Sequence, residues 1–565
     1  MNSTQPFARS CAFLLMCFLC IAHLLMTLSF LIDKKLFAPV LPLSLVAAAV
    51  VSYYYSIKNG MPRNDWYKVL GVSLLVILFS VAFAFFFFDF SWDGQWYHQA
   101  AVYNMTEGWN PLLHPISSFD KHNDLSIIHF PKVSWYFAAA ALSLFGDVEA
   151  GKSINVVAFF AAAFMVYQAA RDFNMSKNRA LLLCLITVLN PVIWCEITTY
   201  LVDGLLYTFL LLYFATLFSV IHRPDKTTLL IGIMAVVCLI NTKFTGLVFY
   251  CFFAFCGLIY LLFRKISFVR RYIVMNAIAL LTGVFLFGFN PYVTNFLERG
   301  HPFYPIMGTA KYPDVYTTTG RDDNEVYETP ANMKGKSRVV RLFYAHFSRP
   351  GNAPYNKEKN AELVWPFLAK PEHWKFYHIQ DVRMAPLGPY FSGLFIITLA
   401  LGIWLFKTRK ELRWMIAISM TAIMLTLFFN IHFWWVRLVP QLWLIPVIPL
   451  AILLLSAQKG KSLWWIGAFA GLMVVNALVV LGSHMYWETS SALMLRRQFR
   501  EIKEKDQTIL IRYGKFKKSM EEKLNRRGIK YIDTPTPEVR AKVHYNLASV
   551  VEGYPNMVMY RIKEE

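Results

Sequence analysis

The chain has 565 residues, of which 56% are hydrophobic, 16% aromatic and only 16% charged, with a mean hydropathy of +0.42. That combination excludes a soluble enzyme, a disordered chain and a disulfide scaffold. Net charge is +21, but much of the excess lies in short loops between apolar runs, where it sets membrane orientation and does not mark a nucleic-acid partner.

Crossing a hydrocarbon core of ~30 Å takes roughly 20 residues of helix. Three apolar runs of about that length open the chain, at residues 11–32, 37–55 and 69–88. The first is too long for a signal-peptide core and has no small-residue cleavage site after it, so it reads as a retained helix. A polar segment follows, then a short apolar stretch at 133–145 and a helix at 154–170. Runs at 181–194, 201–221, 229–240, 245–263 and 272–289 come next. After a second polar segment, four more lie at 391–406, 414–429, 434–455 and 463–481.

Eighteen Lys and Arg against four acids sit in alternate loops, around Lys58, Arg171, Arg223, Arg264, Lys407 and Lys459. The positive-inside rule makes that set cytoplasmic. The parity then requires one crossing between residues 133 and 170, so the thirteen-residue stretch 133–145 is expected to lie along the outer interface or to re-enter. The fold class expected is an all-α polytopic membrane protein of about 13 transmembrane helices over residues 1–483, with outer segments 89–153 and 290–389. Residues 484–565 read as an outer C-terminal α/β module, with strands at 507–513, 530–532 and 557–561 and a helix at 516–526. The eight cysteines all fall inside or at the ends of apolar runs, so no disulfide framework holds the polar segments.

Gly146-Asp-Val-Glu-Ala-Gly151-Lys152-Ser153 matches a P-loop by letters alone. No strand precedes it and Asp147 and Glu149 would repel phosphates, so a turn between two helices is the expected structure. The first outer segment begins Asp89-Phe-Ser-Trp-Asp93-Gly-Gln-Trp-Tyr97-His98, which places carboxylates among aromatic residues at headgroup depth. Asp93, between Trp92 and a glycine that permits close backbone approach, is the candidate acid, and Asp89 is its alternative. His98, His114, His122 and His129 share the segment with Asp120 and Asp124, in spacings that match no tight zinc pattern.

Lys243 lies in an outer turn so short that it is either a snorkelling lysine or a cation awaiting a lipid phosphate. Gly300-His-Pro-Phe-Tyr-Pro305 describes a rigid turn that would hold His301 and Tyr304 toward a substrate. Asp381 and Arg383 precede the next helix, and Arg437 is expected in the first turn of the helix that Trp434 opens. A cation there is disfavoured by the helix dipole and needs an anion, either a carboxylate such as Asp381 or a bound lipid phosphate.

In Asp93 after a helix end, the Gly300-to-Pro305 turn and the Arg437 helix start, the stretch 89–441 resembles integral-membrane glycosyltransferases of the GT-C superfamily. Two helices precede the one leading to the acidic loop, where many members have one, and no adjacent acidic pair follows the first helix. The resemblance implies transfer of a sugar from a polyprenyl-phosphate donor to an acceptor hydroxyl on a glycan, lipid or protein, outside a bacterial inner membrane. It implies Asp93, or else Asp89, as base and Arg437, Lys243 and Arg383 as phosphate ligands, with His301, Tyr304, Tyr97 and His98 lining the substrate. A divalent metal is compatible with this chemistry and not required by the sequence. An O-antigen-type polymerase or ligase and a lipid or solute transporter are the alternatives, and the latter would show mid-membrane charges and an internal repeat, neither of which is present.

Overall fold

The computed structural model describes residues 6–35, 37–113, 121–315, 329–351, 359–378, 380–430, 432–456, 462–514, 516–534, 545–546 and 559–562. The protein is a polytopic membrane protein, all-α but for a small C-terminal module that contains a sheet. Among the described residues, nine helices are long and apolar enough to cross a membrane: Phe7–Leu31, Val40–Lys58, Arg63–Phe86, Val148–Asp172, Asp203–His222, Phe244–Phe263, Val269–Phe287, Phe391–Thr408 and Trp464–Glu504. Four further apolar helices are shorter, Val133–Phe145, Lys226–Ile240, Arg413–Phe429 and Pro440–Ser456. The run expected at 181–194 divides into helices Lys177–Val188 and Pro191–Glu196, because Asn190 breaks the first and caps the second by accepting from the Val192 amide at 2.9 Å.

Phe7–Leu31, Val148–Asp172 and Asp203–His222 form the buried centre, and the outer helices turn residues such as Leu75, Leu78, Phe255 and Phe285 outward. At one end of this centre Arg9 is buried between Asp172 and Asp225, 2.6 Å from each. Desolvating a guanidinium is tolerable only because both carboxylates meet it.

Three expectations are corrected. The stretch 133–145 is a helix of thirteen residues in which Val133 to Leu142 are buried in the core, which removes the expectation that it lies along the outer interface and leaves the re-entrant one; four consecutive alanines, Ala138 to Ala141, let its neighbours approach closely. Arg437 is not in the first turn of a helix. It sits in a single 3₁₀ turn, Val436–Leu438, since Val439 leaves helical geometry (φ −137°, ψ 52°) ahead of Pro440, and regular helix begins only at Leu444. The last helix does not stop near residue 481 but runs unbroken from Ser462 to Glu504, carrying the chain from the apolar region into the C-terminal module.

That module holds β1 (Ile509–Arg512), β2 (Tyr531–Asp533), β3 (Tyr545–Asn546) and β4 (Met559–Ile562) in the order β2-β1-β4-β3, with β1 and β2 parallel and the other pairs antiparallel. Helix Lys517–Asn525 forms the crossover between β1 and β2. The P-loop look-alike is a turn: Gly146 takes a left-handed φ of +70° to end one helix, and Asp147 caps the 3₁₀ turn Val148–Lys152 by accepting from the Glu149 amide. Lys152 is buried against Glu149 at 2.7 Å and donates to the Phe87 carbonyl at 2.6 Å, so its charge is spent on packing.

Candidate active site

Arg437 gathers the site. Its side chain is 12% exposed, and three carboxylates from distant parts of the chain surround it. Nη2 lies 3.8 Å from Asp93 Oδ2, while Nε lies 3.6 Å from Asp203 Oδ2 and 3.4 Å from Asp381 Oδ1. These are ion-pair distances, and Nε has no hydrogen-bond partner among the described residues. Each acid stands where regular structure starts or stops. Asp93 precedes the π-turn Gly94–His98, Asp203 is the first residue of Asp203–His222, and Asp381 lies in the irregular segment that leads to Phe391–Thr408.

Two more cations complete the cluster. Lys243, at the start of Phe244–Phe263, reaches Asp203 Oδ1 at 2.6 Å. Arg383 has its guanidinium carbon 3.8 Å from the ring centre of Trp435 and its Nη2 3.9 Å from Asp381 Oδ2. The Arg437 guanidinium is 4.8 Å from the same indole, whose Nε1 donates to Asp381 Oδ1 at 2.5 Å. Trp435 therefore serves as a shared face for two arginines and fixes the acid between them.

Burial raises the Asp93 pKa above the ordinary carboxylate value; Arg437 opposes that shift and the neighbouring Asp381 adds to it. Burial acts to lower the Arg437 pKa, but Asp381, Asp203 and Asp93 together outweigh it and hold the guanidinium charged. Glu196, buried beside them, accepts from the Gly204 amide at 2.6 Å through one oxygen, and its other oxygen has no partner among the described residues. Burial, then the charge of Asp203, pushes it well above the usual carboxylate range. The cluster thus presents a carboxylate with raised proton affinity beside cations that can hold an anion.

The sequence candidates Asp93, Lys243, Arg383 and Arg437 are brought together, and Asp203 and Glu196 join them. Neither of the last two stood out beforehand, because an acid at an apolar run's end reads first as a loop charge. Asp89 is built into the fold instead. It is fully buried, its Oδ1 accepts from the Ser91 amide at 2.8 Å and hydroxyl at 2.6 Å, and its Oδ2 accepts from the Tyr200 amide at 2.8 Å. Burial pushes its pKa up to about 6, against the charge of Lys152 and the Ser91 hydrogen bonds, which favour the carboxylate.

Tyr97 stacks on His98 at 4.3 Å, and the charges of Asp93, Arg437 and Asp203 reach it. His98 Nδ1 accepts from Trp135 Nε1 at 2.6 Å, and burial pushes its pKa down to about 3, so it is a neutral imidazole. His301 and Tyr304 belong to a neighbouring packing unit. His301 Nδ1 accepts from the Phe303 amide at 3.1 Å, and Tyr304 packs edge-on against His129, whose Nδ1 is 2.7 Å from Asn295 Oδ1. Phe303 links that unit to Phe244, next to Lys243, at 5.6 Å between rings. Among the described residues no group of three or more His, Cys, Asp or Glu side chains is arranged to hold a metal ion. His114 and Asp120 lie outside the described residues, as do the side chains of His122 and Asp124.

The C-terminal module touches the segment that carries Asp93. Trp92 meets Phe516 edge-on at 5.2 Å, and Ser519 Oγ donates to Gln99 Oε1 at 2.5 Å. Lys518 pairs with Glu107, Lys523 lies 3.6 Å from Glu149, and Arg526 lies 3.2 Å from Asp147.

No protein-family model and no curated protein matches the chain. Among solved structures it is similar to ArnT from Cupriavidus metallidurans bound to undecaprenyl phosphate, with 12% identity, 75% of each chain covered and a TM-score of 0.37. A likeness that loose carries no argument about chemistry.

Proposed function

We propose that the protein is an integral-membrane glycosyltransferase of the GT-C kind, which moves a sugar from a polyprenyl-phosphate carrier to an acceptor hydroxyl on the outer side of the membrane. The observation that supports this reading is one cluster in which Arg437 lies beside Asp93, Asp203 and Asp381, with Lys243 on Asp203 and Arg383 on Asp381 and Trp435. In this reading the cations of the cluster hold the phosphate of the lipid-linked donor as its leaving oxygen gains charge.

In the reaction, the acceptor oxygen attacks the anomeric carbon while the bond from that carbon to the phosphate oxygen breaks. Asp93 takes the acceptor proton as the sugar gains oxocarbenium character. The bonding electron pair leaves with the phosphate, and Arg437, Arg383 and Lys243 hold the polyprenyl phosphate so released. Asp203 and Asp381 keep these cations in place before the lipid arrives. Neutral His98 and Tyr97 line the sugar side as hydrogen-bonding and stacking surfaces.

The test is a reconstituted assay with polyprenyl-phosphate sugars. The proposal expects release of polyprenyl phosphate that depends on an acceptor. Movement of the intact lipid or solute across vesicles without release identifies a transporter and rejects it.

A further inference from the structure

Helix Arg338–Phe347, in the second polar segment, has one wholly apolar face. Val339, Val340, Phe343 and Phe347 fall within an arc of about 100° on the helix wheel, and Arg338 and Arg341 lie on the other side. The helix does not bury that face in the protein. Ala345 and His346 face inward, while among the described residues Val339 remains 69% and Phe343 47% exposed. An apolar face left open this way on a soluble surface costs hydrophobic free energy, so its position relative to the membrane helices decides what covers it.

The helix lies across the ends of two membrane-directed helices. Arg338 Nη1 donates to the Phe428 carbonyl at 2.9 Å and packs over the Phe428 and Phe433 rings, at the end of Arg413–Phe429. His346 meets the ring of Phe391, the first residue of Phe391–Thr408, at 5.4 Å. The helix thus sits beside the ends of two membrane-directed helices, where Phe428 and Phe429 are themselves exposed. A second apolar piece is tied to it. The Val364 amide donates to the Phe347 carbonyl at 2.8 Å, and the segment that follows exposes Trp365 at 82% together with Phe367 and Leu368. Phe367 packs against Gly393, again at the start of Phe391–Thr408.

We propose that helix Arg338–Phe347 and residues 363–368 are seated in the phospholipid headgroup region, with Val339, Phe343 and Trp365 in contact with acyl chains and Arg338 and Arg341 at phosphate level. This surface is an in-plane amphipathic anchor. It reaches the candidate active site through the backbone, since the Ala385 amide donates to the Ala345 carbonyl at 2.7 Å and the Met384 amide to the Gly351 carbonyl at 3.0 Å. Lipid seating thereby supports the segment that carries Asp381 and Arg383. The seating itself does not rest on the proposed reaction.

The test places a photoreactive benzophenone amino acid at Phe343, at Trp365 and, as an aqueous control, at the exposed Lys530, in full-length protein in phospholipid nanodiscs. The proposal expects phospholipid adducts by mass spectrometry at Phe343 and Trp365, several-fold above those at Lys530. Adduct yields at Phe343 and Trp365 no higher than at Lys530, or crosslinks from them to a second copy of the chain, overturn it. Size-exclusion behaviour like that of the unsubstituted protein confirms that each variant is folded, and the readout is independent of transferase activity.

Discussion

Arg437 Nε stands 3.4 Å from Asp381 Oδ1 and makes no hydrogen bond to it, while that same oxygen accepts from Trp435 Nε1 at 2.5 Å. The acid is held by the indole, and the guanidinium stays close to three carboxylates with its Nε unused. The guanidinium is thus held by charge from three sides and is not locked in a bidentate Arg–Asp pair.

Replacement of Arg437 and of Asp381 should therefore have different results. Arg437→Gln leaves Asp93, Asp203 and Asp381 facing one another in a mostly buried site, which is expected to cost on the order of a few kcal/mol of stability and to weaken donor binding as well as rate. Asp381→Asn keeps the Trp435 hydrogen bond and removes only a charge, so its loss of stability should be smaller. Thermal unfolding and lipid-donor binding on both variants check this. Equal destabilisation with unchanged donor binding would reduce Arg437 to a structural partner of Asp381.

The pH dependence follows from the same charges. As the proposed base, Asp93 must be ionised, and burial with the neighbouring Asp381 raises its pKa despite Arg437. The acid limb of kcat/KM should accordingly lie above the ~3.9 of a free aspartate. Asp381→Asn removes a like charge and should move that limb to lower pH. A limb that stays put or rises would show that another group controls it.

The C-terminal module is expected to affect turnover through contact alone. Phe516 is fully buried and packs on Trp92, the neighbour of Asp93. Phe516→Ala should cost about 3–5 kcal/mol of local stability if the gap does not collapse, and slow transfer with little change in donor affinity. Lys517→Ala, at the exposed first residue of the helix that Phe516 precedes, should do neither. A Phe516→Ala protein with full turnover would separate the module from the reaction.

Much of this was legible in the sequence because membrane spans announce themselves by length and apolarity. Helices at 7–31, 203–222 and 391–408 match runs read at 11–32, 201–221 and 391–406 to within a few residues. Asp93 stood out for its aromatic neighbours and adjacent glycine, Lys243 for the shortness of its turn, and Arg437 for the cost of a cation at a helix start. Their meeting was not legible. Asp93 and Arg437 are 344 positions apart and come together only through the packing of helices whose faces are apolar all round and carry no register signal. The burial of residues 133–142 was hidden for a related reason, since a short apolar helix reads alike whether it lies in lipid or in protein. Asp89 and Asp93, four residues apart, look equivalent on the page. Only the Tyr200 and Ser91 groups that saturate Asp89 distinguish them.

The most direct test is single-turnover transfer by Asp93→Asn with a polyprenyl-phosphate sugar prebound. The substitution keeps the shape of the side chain but cannot take a proton. Donor binding equal to that of the unsubstituted protein, with transfer slower by about 10² to 10⁴, is the outcome expected of a general base. Transfer at the full rate in Asp93→Asn would contradict the mechanism and remove Asp93 from it.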